Sequence, residues 1–183
     1  MRVPGESTET VSATFTLQSS QKSGSADNSS GTLAGEVGIF YVTDTSGSVD
    51  GLTPDDDGYI AAALASDNRV TLFSAGTSCD AQNTQSLNGG SLIAFYAINT
   101  GSADDFLTDN STNATSGSAV AFVSFDTANS DSANHFRWYG AEQVSCTAPT
   151  ANSTCDTRLL HVMTAIFGGD LDFDDYTIKV ELS

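Results

Sequence analysis

Four aspartates near the end of the chain have the clearest chemical potential. Asp170, Asp172, Asp174 and Asp175 follow two glycines in the segment GGDLDFDDY. Two like charges ~4 Å apart repel by ~4 kcal/mol at an effective dielectric of 20, so a fold that gathers several carboxylates needs a cation. Oxygen ligands without His or Cys favour a hard ion, and a flexible carboxylate-rich loop favours calcium over magnesium. The segment therefore predicts a calcium site, with a solvated acidic turn as the alternative.

The pattern of apolar residues changes phase in the same segment. Leu171 and Phe173 are at odd positions, whereas the apolar residues from Tyr176 to the end are at even positions. A strand cannot keep one face buried across such a slip. We therefore expect a bulge or turn near Asp174 and Asp175.

A second acidic loop begins at Asp44 and continues through Asp50 to the run Asp55–Asp57. It resembles a calcium loop, but it lacks the repeating D-x-D-x-D pattern and the final Glu of an EF-hand. We favour an Asp-rich turn followed by a helix cap. Asp44 and Asp50 are kept as further candidate calcium ligands.

The overall charge excludes some partners. The chain has 23 acidic residues against six Lys and Arg, which gives a formal net charge of −17. Nucleic acids and anionic membranes would be repelled, because binding phosphate needs clustered cations. No apolar run is long enough to span a bilayer, and no apolar signal core follows Met1. Bound divalent cations would relieve the self-repulsion, and adaptation to high salt is the competing explanation.

Three cysteines are present, at positions 79, 146 and 155. Cys146 and Cys155 enclose a short polar segment, which predicts a hairpin loop closed by a disulfide bond. Such a loop would be stabilised by roughly 2–3 kcal/mol. Cys79 is then left over. Three separate thiols, or a bridge from Cys79 to either partner, are the alternatives.

Alternating and apolar runs predict an all-β fold. About eight or nine short strands are separated by polar loops, and one Ala-rich segment, residues 58–66, changes to a helical period. Such strands are best buried as an antiparallel β-sandwich or jelly roll. We predict strands at Thr8–Leu17, Glu36–Thr43, Arg69–Phe73, Ser91–Ile98, Ala119–Phe125, His135–Tyr139, Leu159–Phe167 and Tyr176–Leu182.

Residues 18–35 form a polar stretch without periodicity. We therefore predict an N-terminal strand and flexible arm over residues 1–35, and a single calcium-binding β-sandwich domain over residues 36–183. The separated first strand can pair within its own sheet, which we favour. It can also add to the sheet of a neighbouring copy, which would make the chain a self-assembling subunit.

No catalytic motif is present in the sequence. GxSxG, HExxH and a Gly-rich phosphate loop are all missing, and His135 and His161 are isolated within apolar strands. Paired carboxylates of a glycosidase type remain a minor alternative. A sugar-stacking face is another, built from Tyr59, Phe136, Trp138 and Tyr139, although core packing is favoured for Trp138.

Four sequence blocks, taken in order, resemble the bacterial domain-of-unknown-function family numbered 4114. They are EVGIFYVTDTSGSVDGLTPDDDGYIAAAL, GGSLIAFYAINTGSADDFL, VAFVSFDTANSDSANHFRWYG and FGGDLDFDDYTIKV. The resemblance covers about residues 33–182. It implies a domain of secreted or surface proteins with a calcium site in the closing block, at Asp170, Asp172, Asp174 and Asp175. Asp174 stands where the family commonly has Asn, and the Cys146–Cys155 segment is an insertion.

These features predict a secreted or cell-surface protein that is not an enzyme. The expected function is a calcium-binding structural or adhesion module, with Ca²⁺ as its cofactor. Its expected partners are further copies of itself, in a filament or matrix built by strand addition, or other cell-surface or matrix components. A glycan-binding module of a secreted or surface protein is the alternative.

Overall fold

The protein folds as two antiparallel β-sheets that face each other, which confirms the all-β prediction. The computed structural model describes residues 1–20, 32–142, 156–164 and 175–183. These ranges contain nine strands. They are β1 Thr10–Ser20, β2 Glu36–Val42, β3 Arg69–Phe73, β4 Gln82–Asn88, β5 Leu92–Ile98, β6 Ala121–Val123, β7 Phe136–Glu142, β8 Asp156–Val162 and β9 Tyr176–Leu182.

One sheet has five strands in the order β4-β1-β9-β8-β7, and the other has four in the order β3-β2-β5-β6. The alternation predicted for the first and last strands holds. Val11, Ala13, Phe15 and Leu17 of β1 are buried between the sheets, and the Thr residues between them lie on the opposite face. The main core therefore lies between the five-stranded and the four-stranded sheet.

A second core covers the other face of the four-stranded sheet. Helices α1 (Tyr59–Ala63) and α2 (Ala103–Asp109) and their loops pack there against Phe40, Tyr96 and Ile98. We call residues 43–68 and 101–114, which contain both helices, the covering layer. Because this sheet is buried on both sides, β2 and β5 are apolar at nearly every position instead of alternating.

Several element boundaries differ from those predicted. β4 was not expected, because its sequence QNTQSLN is polar and only Leu87 is fully buried. α1 ends at Ala63 rather than near residue 66, and a further short helix, α2, covers Ala103–Asp109. β8 begins at Asp156 and ends at Val162, so it starts and ends earlier than predicted.

β1 belongs to the sheet of its own chain. It lies between β4 and β9, with Thr14 opposite Thr84 on one side and Glu181 on the other. β1 extends to Ser20, so residues 18–20 of the predicted arm belong to the strand. Residues 32–35 also approach the β3–β4 turn, where Leu33 donates to and accepts from its backbone.

Neither described helix could cross a membrane, since neither is long and apolar enough. α1 has five residues and α2 has seven. Both helices serve instead to cover the four-stranded sheet.

Candidate functional site

The acidic segment at the end of the chain belongs to the connection between two paired strands. β8 and β9 are antiparallel neighbours, and their pairing ends at Val162 opposite Tyr176. The predicted ligands Asp170, Asp172 and Asp174 lie outside the described residues. The structure therefore fixes where their segment starts and ends, and it gives no geometry for these three side chains.

Asp175 is the one predicted ligand of this segment that is described. Its side chain is buried, and its Oδ2 accepts hydrogen bonds from the backbone N–H of Thr164 at 2.6 Å and from the Thr164 hydroxyl at 3.2 Å. β9 begins at the next residue, so the predicted change of phase falls immediately before the first residue of the strand. Asp175 thus holds together the two ends of the acidic connection.

Asp44 is exposed and is used by its own loop. Its Oδ1 accepts hydrogen bonds from the backbone N–H groups of Ser46 at 2.8 Å and Ser48 at 3.2 Å. Hydrogen bonds from the Ser48 side chain and backbone lower the pKa of the Asp44 carboxyl most, and those from Ser46 and Gly47 lower it further. The same carboxylate lines an open pocket of about 450 Å³ together with Arg2. The local geometry is that of an Asp-rich turn, which is the interpretation favoured from the sequence.

Asp50 has a different partner. It adopts a left-handed backbone conformation with φ of 51°, and its Oδ2 accepts a hydrogen bond from the Asn68 side chain at 2.9 Å. No group of three or more His, Cys, Asp and Glu side chains that could hold a metal ion occurs within the described ranges. Within those ranges, Asp44 and Asp50 therefore do not belong to a group of three acidic, His or Cys side chains that could share a metal ion.

The helix cap expected from Asp55–Asp57 is wrong. Gly58 occupies the position before α1, with φ of 82° and no side-chain cap. Asp56 instead accepts hydrogen bonds from the N–H and hydroxyl of Thr53, at 2.7 and 2.8 Å. The reason is spacing, because the turn that Asp56 closes ends before the helix begins.

The predicted Cys146–Cys155 disulfide cannot be placed, because both cysteines lie outside the described residues. Cys79 is half-buried in the β3–β4 connection. The disulfide thus remains a prediction from the sequence.

The predicted aromatic face is not one surface. Tyr59 and Phe136 are buried, and the Tyr59 hydroxyl donates to the Gly47 carbonyl at 2.6 Å. Trp138 is 40% exposed and Tyr139 is 43% exposed. These neighbours lie on opposite faces of β7, where Trp138 meets the ring of Phe95 edge-on at 5.5 Å. Core packing therefore describes Trp138 only in part.

The two histidines have different environments. His135 is fully buried, with its ring 4.1 Å from that of Phe122. His161 is half-buried on the solvent face of β8, with its ring 4.5 Å from that of Tyr139. His135 is thus a packed core residue, and His161 belongs to the surface.

Sequence reasoning missed a group of side chains on the solvent face of β7, β8 and β9. Strand register sets Arg137 opposite His161, Tyr139 opposite Leu159, and Leu159 opposite Lys179. We call these five residues the outer-face patch. Their signal in the sequence is the alternation Arg137-x-Tyr139 and Leu159-x-His161, which becomes informative only once the strand neighbours are known.

Comparison of the chain with protein-family models, with curated proteins and with solved structures found no match. The resemblance to the family numbered 4114 therefore rests on the four sequence blocks alone, and it remains a prediction.

Proposed function

We propose that this chain is a non-catalytic, extracellular structural or adhesion module in which calcium orders the acidic β8–β9 connection. The observation that carries the proposal is the hydrogen bonding of Asp175 to Thr164 at the two ends of that connection. The intervening segment 165–174 contains Asp170, Asp172 and Asp174. Only ten residues connect the two ends, so repulsion among three carboxylates in so short a segment would favour a bound divalent cation.

Calcium binding should raise the stability of the fold. Calcium at 100 times its dissociation constant would stabilise the folded state by about 2.7 kcal/mol, which corresponds to roughly 5–11 °C in melting temperature. We expect the double variant Asp172→Asn, Asp174→Asn to lose most of this shift. Calorimetric titration and melting curves in calcium and in chelator measure it.

The matched control for this experiment is Asp55→Asn, Asp57→Asn, which changes the net charge equally on the covering layer. It should keep the calcium-dependent shift. If the unchanged protein takes up no Ca²⁺ and melts at the same temperature in chelator, the proposal is wrong.

Self-assembly through β1 is a further part of this proposal. β1 precedes a long polar stretch of the chain. It pairs with β4 on one side and β9 on the other, and its inward side chains pack in the main core. A β1 strand exchanged between copies would make the same contacts in the neighbour's sheet. Exchange therefore requires β1 to leave the sheet of its own chain during assembly.

A disulfide between β1 and β4 tests that requirement. Thr14 and Thr84 are directly opposed on the solvent face, and their hydroxyl oxygens are 3.2 Å apart. Directly opposed residues of antiparallel strands have Cα atoms about 4.5–5.5 Å apart, which is within the range that a disulfide bridges. We expect oxidised Thr14→Cys, Thr84→Cys protein to stop assembling, as seen by electron microscopy, and reduction to restore assembly. Filaments from the oxidised protein equal to those of the unchanged chain would rule out strand exchange.

Glycan binding is a second candidate function, favoured by the exposure of Tyr139 and Trp138 on edge strand β7. Exposed aromatic rings can stack on sugar rings. The two rings lie on opposite faces of the strand, so a single sugar could stack on only one of them. Tyr139, whose hydroxyl oxygen is 3.4 Å from Arg137 Nη1, is the better candidate for stacking on an acidic glycan.

A further inference from the structure

Residues 1–3 form a short antiparallel ladder with the start of β5. The backbone N–H of Val3 donates to the Ser91 carbonyl at 2.8 Å, and Arg2 is paired with Leu92. Val3 is buried in the main core, whereas Arg2 is exposed and Leu92 is half-buried. Because neighbouring residues of a strand point to opposite sides, the ladder directs the Arg2 side chain away from the main core.

Arg2 lines the open pocket of about 450 Å³ that also contains Asp44. The pocket is lined as well by the half-buried apolar side chains of Val42, Leu92 and Phe125. Small-molecule sites typically have volumes of about 300–1,000 Å³ and combine apolar walls with a few polar groups. The volume and the lining of this pocket therefore suit a small amphipathic ligand.

The two opposite charges of the pocket do not neutralise each other. Within the part of the chain that the structure describes, the Arg2 guanidinium forms neither an ion pair nor a hydrogen bond. Arg69 and Lys179, by contrast, each bind a carboxylate. Hydrogen bonds, the largest of them from the Ser48 side chain, lower the pKa of the Asp44 carboxyl, which is therefore ionised at neutral pH. A cation and an anion thus line one apolar space without pairing.

We infer that this pocket binds a small zwitterion with an apolar group, of which a free amino acid with an aliphatic or aromatic side chain is the simplest case. The Arg2 guanidinium binds the carboxylate, the Asp44 carboxylate accepts a hydrogen bond from the ammonium group, and the apolar walls contact the side chain. A ligand with only a negative charge is repelled by Asp44, and one with only a positive charge is repelled by Arg2. The inference depends neither on calcium nor on self-assembly.

A neighbouring pocket of about 500 Å³ shares Arg2 but differs in its walls. Its other lining residues are glycines and polar residues, among them Glu6, Ser7 and Asn88. It therefore offers no apolar contact to a hydrocarbon side chain, so an apolar ligand should select the first pocket. Glu6 provides a matched control for Asp44, because it places the same charge in the second pocket.

NMR titration of the isotope-labelled protein with L-leucine tests the site, in chelator so that calcium does not compete for Asp44. We expect a dissociation constant below ~1 mM, with the largest amide shifts at Thr45 and Leu92. Glycine lacks the apolar side chain, N-acetyl-leucine lacks the positive charge, and leucine amide lacks the negative charge. Each should bind at least about tenfold more weakly than leucine.

Substitutions assign the two charges. Arg2→Gln and Asp44→Asn should each weaken leucine binding at least about tenfold, because each removes one charged partner. Asn at position 44 keeps an oxygen that can accept the N–H of Ser46, so the loop should stay folded, which melting curves check. Glu6→Gln, in the second pocket, and Arg137→Gln, in the outer-face patch, are the controls and should bind leucine normally.

Four results would overturn the inference. They are no shifts up to ~10 mM leucine, equal binding of leucine and N-acetyl-leucine, equal binding of leucine by Arg2→Gln and the unchanged protein, or a loss of binding in Glu6→Gln. If Asp44→Asn melts at a lower temperature, the comparison of leucine with N-acetyl-leucine on the unchanged protein tests the same contact.

Discussion

Within the core, the His135 imidazole lies between two oxygen acceptors. Its Nδ1 is 2.8 Å from the Met163 carbonyl oxygen, and its Nε2 is 3.1 Å from Asp131 Oδ1. Both nitrogens of the ring thus have an oxygen partner, and the side chains of His135 and Asp131 are almost completely buried.

Removing one member of this pair should be costly. We expect Asp131→Ala to destabilise the protein by about 1–3 kcal/mol, because it removes the hydrogen-bond partner of the buried Nε2 of His135. Urea unfolding measures the change. Asp67→Ala, at an exposed position after α1, should stay within about 0.5 kcal/mol of the unchanged protein. Equal effects of the two substitutions would show that the contact between Asp131 and His135 does not contribute to stability.

At the scale of elements, α2 is a short helix that depends on its cap. Ser102 Oγ accepts the N–H of Asp105 at 3.1 Å, and Asp105 Oδ2 accepts the N–H of Ser102 at 2.8 Å. Hydrogen bonds from Ser102 lower the pKa of the Asp105 carboxyl below its ordinary value of 3.8. With only seven residues, the helix gains little from its own propensity.

The cap should make α2 sensitive to acid. A lowered carboxyl pKa stabilises the fold above the unfolded pKa, and that stabilisation disappears as pH falls through the folded pKa. We expect Ser102→Ala to cost about 1 kcal/mol at neutral pH, and we expect the difference to narrow below pH 3.8. Urea unfolding across this range tests it, with Ser111→Ala after the helix as control. A difference that does not change with pH would contradict the pairing of Ser102 with Asp105.

Elements with a clear apolar period could be predicted from the sequence, and those without one could not. β1 and β9 alternate because one face is buried and the other is solvated. β4 was missed because its outward residues are polar and Asn83 is used for a hydrogen bond to the Leu72 carbonyl at 2.9 Å. Its place in the sheet comes from pairing with β1, and this tertiary contact has no local signal.

At the scale of the whole molecule, the sequence predicts the amount of charge and not its distribution. The value of −17 was available from composition, but the grouping of exposed aspartates on the covering layer depends on how two distant segments pack. The acidic connection was identified from its spacing alone. The hydrogen bonding of Asp175 could not be predicted from the sequence, because its partner Thr164 is eleven residues away.

The double burial of the four-stranded sheet determines where this protein can vary. Adjacent residues of β5, such as Phe95 and Tyr96, pack in two separate cores. A polar replacement on either face of this strand should therefore be destabilising. Strands of the five-stranded sheet have every second side chain on the solvent face, where substitutions are tolerated. Sequence changes, and with them any new binding preference, should therefore accumulate on the solvent face of the five-stranded sheet and on the covering layer. The four-stranded sheet between them should stay nearly constant.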